Sequence, residues 1–282
     1  MTLKILFLGD VFSQTGRDLV RQHLPGIVSR EGIDISLANG ENASGGRGIT
    51  RENARELLSR GLAALSGGNH TFQQGGSEAL LDEEPRLLRP YNFPEPCPGG
   101  GWILIKTAAG FKVAFGNLMG RVFLQRTLDC PFRAADRMLH EMSRAGAEAV
   151  IIDFHAEATA EKKAMGYYLD GRASAVLGTH THVQTADAHI LPGGTAYITD
   201  LGMSGAQDTV IGMEKDEVIR SLIDGRRHQF KPGSRGGSLE GVILEIDGGG
   251  KALSIKTVNH PKVFRTTALE PENVFPPFPE KN

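Results

Sequence analysis

Six short, almost uninterrupted apolar runs recur between Leu3 and Gly178, and five of them break off into a glycine-led or charged polar motif. The runs are Leu3 to Leu8, Ile33 to Ala38, Leu62 to Ser66, Val113 to Leu118, Ala149 to Phe154 and Ala175 to Gly178. Runs of this length, bounded by turn residues and rich in branched side chains, read as buried strands. Between them, Arg17 to Arg30 and Thr50 to Arg60 carry apolar residues at helical spacing, with Thr50 placed as an N-cap and Gly61 as a stop. Strands alternating with such helices predict an α/β fold, a sheet joined by crossover helices. In that architecture binding sites gather in the loops beyond the carboxyl ends of the strands, which is where the polar motifs fall.

Towards the end the texture changes. Gly241 to Asp247 and Ala252 to Asn259 flank the turn Gly248, Gly249, Gly250 and read as a hairpin belonging to a second, partly antiparallel sheet. Pro94 to Gly101, Pro192 to Gly194 and Lys231 to Gly237 read as turns, not interdomain linkers. One domain over residues 1–270 is expected, with residues 203–237, which hold a single helical pattern around Glu214 to Asp224, as a small cap. The proline- and charge-rich residues 271–282 are expected to form a C-terminal arm.

Composition narrows the function classes. A 40% hydrophobic and 23% charged chain of 282 residues has the balance of a globular protein. A formal net charge of -2 and a pI near 6.5 give no broad cationic surface, so long nucleic acid is not an expected partner. Any charge that handles phosphate must be local. Cys97 and Cys130 form no ligand cluster and read as reduced structural thiols. Leu3 to Leu8 is too short for a signal-peptide core and no stretch approaches a membrane span, so the expected location is the cytoplasm.

The five motifs are Gly9-Asp10, Gly40-Glu41-Asn42, Gly67-Gly68-Asn69-His70, Asp153-Phe154-His155-Ala156-Glu157 and Gly178-Thr179-His180-Thr181-His182. Taken singly, Asp10 reads as a helix cap, Asn69 as a turn residue and His155 as a satisfied core histidine, while the His180/His182 pair reads equally as surface or capping histidines or as metal ligands. Five motifs at successive strand ends point instead to metal ligation. Two neighbouring cations repel, so a carboxylate is wanted between them, and Glu41 is the best bridging candidate; neutral amide and imidazole ligands complete the shells without cancelling the charge. With two divalent ions, two carboxylates and a bridging hydroxide, about one positive charge remains to hold a phosphodiester oxygen. Gly68 beside Asn69 and His70 signals close backbone approach.

This ordered set resembles the calcineurin-like metallophosphoesterases, in particular their YmdB-type branch, over about Met1 to Gly205. Ordinary members of that superfamily carry a histidine two residues after the first aspartate and an aspartate at the position of Glu41. This chain has Phe12 and Glu41, and Asn42 can replace the missing ligand, which is the pattern of the branch. The resemblance implies a two-sheet α-β-β-α sandwich. It implies that Asp10, Asn42 and His182 serve a first ion, that Asn69, His155 and His180 serve a second, and that Glu41 bridges. His70 matches the general acid, and Asp153 and Glu157 are expected to orient His155. Two divalent or trivalent ions are implied, with iron favoured and manganese or zinc as alternatives. A homo-oligomer, dimer or tetramer, is expected by analogy.

The mechanism so implied has a bridging hydroxide attacking phosphorus in line while His70 protonates the leaving oxygen. The expected substrate is a small phosphate ester, with cyclic nucleotides, including 2′,3′-cyclic ones, first and a nucleotide or broad-specificity phosphomonoester as the alternative. Arg121, Arg126 and Arg133 are candidates for substrate contact, and Phe72, Phe123 and Tyr168 for base stacking, although solvated arginines and core aromatics are commoner. A serine esterase with a Gly-Asp-Ser opening is disfavoured, because Val11 stands where the serine should be and His180 and His182 go unexplained. An adaptor in signalling or RNA turnover that retains the metal pocket is the non-catalytic alternative.

Overall fold

Successive side chains of a strand face opposite ways, and in β1 (Leu3–Val11) both faces are apolar: Ile5 and Phe7 enter one core, Leu6 and Leu8 another. A strand buried on both sides must lie inside a layered structure. The computed structural model describes residues 2–124 and 126–261. After β1 the chain order is α1 (Ser13–Glu31), β2 (Ile35–Asn39), α2 (Arg51–Ser59), β3 (Leu62–Ser66), α3 (Ser77–Glu83), β4 (Trp102–Lys106), β5 (Lys112–Met119) and α4 (Pro131–Arg144). Then come β6 (Ala149–His155), α5 (Thr159–Tyr168), β7 (Ala175–Thr179), β8 (His189–Ile190), β9 (Ala196–Ile198), β10 (Met203–Ser204), α6 (Lys215–Asp224), β11 (Leu239–Ile246) and β12 (Ala252–His260).

Two six-stranded sheets result. The first has the order β12-β11-β1-β2-β3, with β10 paired to the end of β1, and the second the order β4-β5-β6-β7-β9-β8. Ile5, Phe7, Leu37, Val242 and Leu244 of the first sheet meet Phe115, Ile151, Leu177 and Ile198 of the second in the central core. Phe7 and Phe115 touch edge to face across it, 5.3 Å between centroids. Leu19, Leu24, Leu57 and Leu80 of α1, α2 and α3 cover the outer face of the first sheet. Met138, Met142 and Met165 of α4 and α5 cover that of the second. The expected α-β-β-α sandwich is the observed one.

Local chemistry sets the boundaries. The Thr50 side chain accepts from the Asn53 amide and starts α2 as its N-cap. The C-terminal hairpin forms as predicted, with Ile243 opposite Lys256, but it does not begin a separate sheet. Its strand β11 pairs antiparallel with β1, Leu3 opposite Ile246, and so covers an edge of β1 that the parallel strands leave open. Residues 205–238 follow β10 and contain α6, which has no buried residue. The expected arm, 271–282, lies outside the described residues. Among the described residues no helix is long and apolar enough to cross a membrane.

Candidate metal centre

The parallel strands of both sheets end at one edge of the sandwich, and the five polar motifs meet there. Asp10 is the penultimate residue of β1, in register with Asn39 at the end of β2. Glu41 and Asn42 occupy the turn after β2, and Asn69 and His70 the turn after β3. His155 closes β6, paired with Thr179 of β7, and His180 and His182 follow directly. Asp10, Glu41, Asn42 and His155 are buried.

One imidazole nitrogen defines the centre. His155 Nε2 lies 3.1 Å from Glu41 Oε1, 2.9 Å from Asn69 Oδ1 and 3.0 Å from His180 Nδ1. A ring nitrogen carries one hydrogen or one lone pair, so it cannot satisfy three neighbours in three directions. A shared cation can. Glu41, His155 and His180 offer ligand atoms all within 4.8 Å of one another. Beside them, Asn42 Nδ2 is 3.2 Å from Asp10 Oδ1, 3.2 Å from Glu41 Oε1 and 3.1 Å from His182 Nε2, and His182 Nε2 is 3.6 Å from Asp10 Oδ1. All seven residues predicted from sequence as ligands are therefore brought together. The donor set, two carboxylates, two amides and three imidazoles, fits a pair of cations.

The electrostatics are those of an anionic pocket sharing protons with histidines. Burial works to raise the Asp10 pKa, but the neighbouring His182 and His155 hold it far below the usual carboxylate range. Glu41 is likewise lowered: burial opposes ionisation, and His155 outweighs it. His182 is pushed up to about 9, because the Asp10 carboxylate overcomes the burial that would lower it. His180 falls to about 3, through burial and the adjacent His155. The pocket thus holds negative charge beside imidazoles whose protons a metal would displace.

Surrounding residues fix these side chains. Thr179 Oγ1 lies 2.9 Å from His155 Nδ1 and donates to Asp153 Oδ1 at 2.7 Å, so the carboxylate steers His155 through a hydroxyl. Asn39 Nδ2 donates to Asp153 Oδ2 at 3.0 Å and Ser66 donates to the same oxygen. Burial pushes Asp153 up to about 6 despite His155 and these donors. His180 and His182 have left-handed backbones, φ 107° and 63°, each costing about 1–3 kcal/mol for a side-chain-bearing residue. The buried Lys162 holds that segment: its Nζ donates to Thr179 O at 2.7 Å and to Asp200 Oδ2 at 2.6 Å. Asp200 Oδ2 in turn accepts from the Thr181 amide at 3.0 Å. His182 is steadied by Ile211 O, 3.0 Å from its Nδ1, and by the Phe12 ring, edge to face at 5.5 Å. A Cβ on Gly68 would overlap Glu41 Oε2 and His155 Nε2, and one on Gly9 would overlap Gly202 O, so both glycines are required by close approach.

Sequence reasoning missed several of these supports. Asp200 follows the short apolar strand β9 in the sequence Thr199-Asp200-Leu201-Gly202, the same strand-then-polar pattern that exposed the other motifs. Lys162 stands between Ala158 and Met165 in the apolar stripe of a helix, an anomaly visible in sequence. Glu157 differs from expectation: its Oε2 lies 3.0 Å from His180 Nε2, not on His155, because β6 ends at His155 and the chain turns outward to the pocket mouth. The Glu41 carboxylate accepts from the His70 amide at 3.0 Å, which sets His70 beside the cluster. Among the described residues, His70 Nδ1 is a buried side-chain atom without a hydrogen-bond partner in the protein. Of the substrate-contact candidates, Arg126 Nη2 donates to Asn69 O at 2.7 Å, whereas Phe72 packs edge to face on Phe93 and Tyr168 donates to Asp136. Arg121 and Arg133 are exposed.

A two-sheet sandwich with carboxylate, amide and imidazole donors gathered beyond its parallel strand ends defines a metallophosphoesterase, a metal-ion-dependent hydrolase of phosphoric esters. The chain belongs to the YmdB-like protein family, whose model matches residues 6–258. A relative from Bacillus subtilis (strain 168), the 2′,3′-cyclic-nucleotide 2′-phosphodiesterase, is 44% identical over 245 residues, spanning 87% of this chain and 92% of the relative. A phosphatase structure from Mycoplasma pneumoniae superposes with a TM-score of 0.85 at 32% identity, over 92% of this chain and 93% of that one. A hypothetical protein from Thermus thermophilus gives 0.83 at 41% identity, over 91% and 98%.

Proposed function

We propose that this chain is a cytoplasmic two-metal phosphodiesterase acting on small nucleotide diesters, with 2′,3′-cyclic nucleotides as the first substrate class. The single observation that carries the reading is the His155 Nε2 atom facing Glu41, Asn69 and His180 at once. The likeness to a 2′,3′-cyclic-nucleotide 2′-phosphodiesterase supports the substrate class. Asp10, Asn42 and His182 would hold one ion, Asn69, His155 and His180 the other, and Glu41 would serve both. Iron is the favoured metal, with manganese or zinc as alternatives, because oxygen and imidazole donors without thiolate suit all three.

When bound, the ions supply Lewis acidity, activating water at neutral pH and neutralising phosphate charge. The chain's own residues do the rest. The Glu41 carboxylate would offset the repulsion between two cations held on either side of it. Asp153, acting through Thr179, holds the His155 ring so that Nε2 faces the centre. His70 donates a proton to the departing ribose oxygen; cleavage at the 2′ oxygen leaves a 3′-phosphate. Of the segment 203–237, Met203 and Ser204 belong to the first sheet as β10, and the residues after them form a cap over one side of the centre, with Ile211 O on His182 as one point of contact.

The test is a hydrolysis panel on the purified protein, comparing 2′,3′-cyclic nucleotides, linear diesters and monoesters. Preference for cyclic diesters, lost on chelation, supports the reading; preference for monoesters replaces it with a phosphatase, and chelator-resistant turnover removes the metal from the account.

A further inference from the structure

Three aromatic side chains were candidates for stacking on a base, and their surroundings separate them. Phe72 meets Phe93 edge to face at 5.2 Å. Tyr168 donates to Asp136 at 2.7 Å, packs on Phe132 at 5.3 Å, and has the Arg172 guanidinium 5.2 Å from its ring centre. Both are already engaged. Phe123 is 83% exposed, and among the described residues it has no aromatic partner.

Phe123 lies on a strap, residues 120–124, that leaves the metal centre at His155, and Arg126 beyond it touches the centre again. At one end the Gly120 amide donates to His155 O at 2.9 Å. Glu161, in the first turn of α5, then accepts from the amides of Arg121 at 3.0 Å and Val122 at 3.2 Å. Beyond the strap Arg126 Nη2 donates to Asn69 O at 2.7 Å. His155 and Asn69 come from opposite sheets and face one another across the centre at 2.9 Å. The described residues on either side of Phe123 therefore bond to centre residues from both sheets. Between these contacts Phe123 has a left-handed backbone, φ 63°, which a bulky residue seldom adopts. Strain and an exposed phenyl group coincide at one residue, on a segment bonded to the metal-centre residues His155 and Asn69, and nothing within the described fold collects the benefit of either.

We propose that Phe123 is the platform on which the substrate's nucleobase stacks, with Glu161 and Arg126 as positioning residues that hold the strap at that place. The inference rests on the nucleotide reading above and adds to it: the metal centre takes the phosphate and Phe123 the base. An aromatic face accepts any base, so the platform favours nucleotides over base-free phosphodiesters without choosing among bases.

The test compares wild type, Phe123→Ala and Phe123→Trp on adenosine 2′,3′-cyclic monophosphate and on base-free ribose 2′,3′-cyclic phosphate. For Phe123→Ala the expected result is a KM about 10-fold higher for the nucleotide, a kcat within about twofold, and no change for the base-free diester, the size following from the loss of one stacking contact. Phe123→Trp restores the nucleotide KM. Equal changes on both substrates, or none on the nucleotide, overturn the platform; so does a changed sedimentation coefficient without a substrate-selective effect, which would make Phe123 a self-association contact. Calorimetric binding of the same two compounds decides the matter independently of turnover. If wild type hydrolyses neither compound, the phosphodiesterase reading fails, while the platform stands or falls on whether wild type binds the nucleotide more tightly than the base-free compound and Phe123→Ala does not.

Discussion

Lys162 Nζ lies 2.6 Å from Asp200 Oδ2 in the protein interior, and together the two side chains hold the peptide groups on either side of His180. Lys162 bonds the Thr179 carbonyl and Asp200 the Thr181 amide, so the left-handed turn that aims His180 and His182 inward is clamped by a charge pair.

Lys162→Met should lower stability by about 3–5 kcal/mol, since it strands a buried carboxylate. The double variant Lys162→Met with Asp200→Leu should recover most of that loss and still bind metal poorly, because the charge penalty has gone but the clamp has not returned. Denaturant unfolding of the metal-free proteins, paired with metal stoichiometry after reloading, separates the two effects.

Gly68→Ala places a methyl group against both Glu41 Oε2 and His155 Nε2. A displacement of about 1 Å in such a centre costs on the order of 100-fold in rate. The expected variant is folded, with a near-normal melting temperature, weakened metal binding and activity down by that order.

His70→Ala should leave metal content unchanged while kcat falls by about 100- to 10,000-fold, the range of a lost general acid. A diester with a p-nitrophenolate leaving group needs little protonation and should lose far less. Equal losses on both substrates would assign His70 to binding, not to proton transfer.

The metal-free protein should lose stability as pH rises from about 6.5 through about 9. His182 is held at about 9 by the Asp10 carboxylate, above its ordinary 6.5, so across that window the folded state binds the proton more tightly than the unfolded state does. The contribution is complete below the unfolded value and disappears as pH passes the folded one. His155 is also held above its ordinary value, the Glu41 carboxylate overcoming the burial that would lower it, so His182→Gln should flatten the slope without removing it. Metal affinity should run the other way, rising with pH over the same window, because ligation needs the neutral ring and releases its proton.

Much of this molecule can be read from its sequence for identifiable reasons. Each of the six apolar runs lies at a strand, since a strand buried on both faces leaves a continuous signal, as Leu3 to Leu8 does in β1. Asp10, Glu41, Asn42, Asn69, His155, His180 and His182 were legible as a set because each follows such a run at the same end of a parallel strand. Strands of two residues, β8 and β10, show no period and were not legible. The sheet joined by the C-terminal hairpin was also hidden: Leu3 opposite Ile246 is a pairing over nearly the whole chain, and nothing local encodes it. The Lys162–Asp200 pair and the Asn39, Ser66 and Thr179 bonds to Asp153 belong to the same class, contacts that only the closed sandwich creates.

If seven side chains from two sheets hold a pair of metal ions, anomalous diffraction from crystals of the metal-loaded protein will locate both. Two anomalous peaks are predicted, one on either side of the Glu41 carboxylate, with His155 and His180 against one and His182 against the other. A map with no peak beside Glu41, or with metal bound only elsewhere on the chain, would contradict this arrangement.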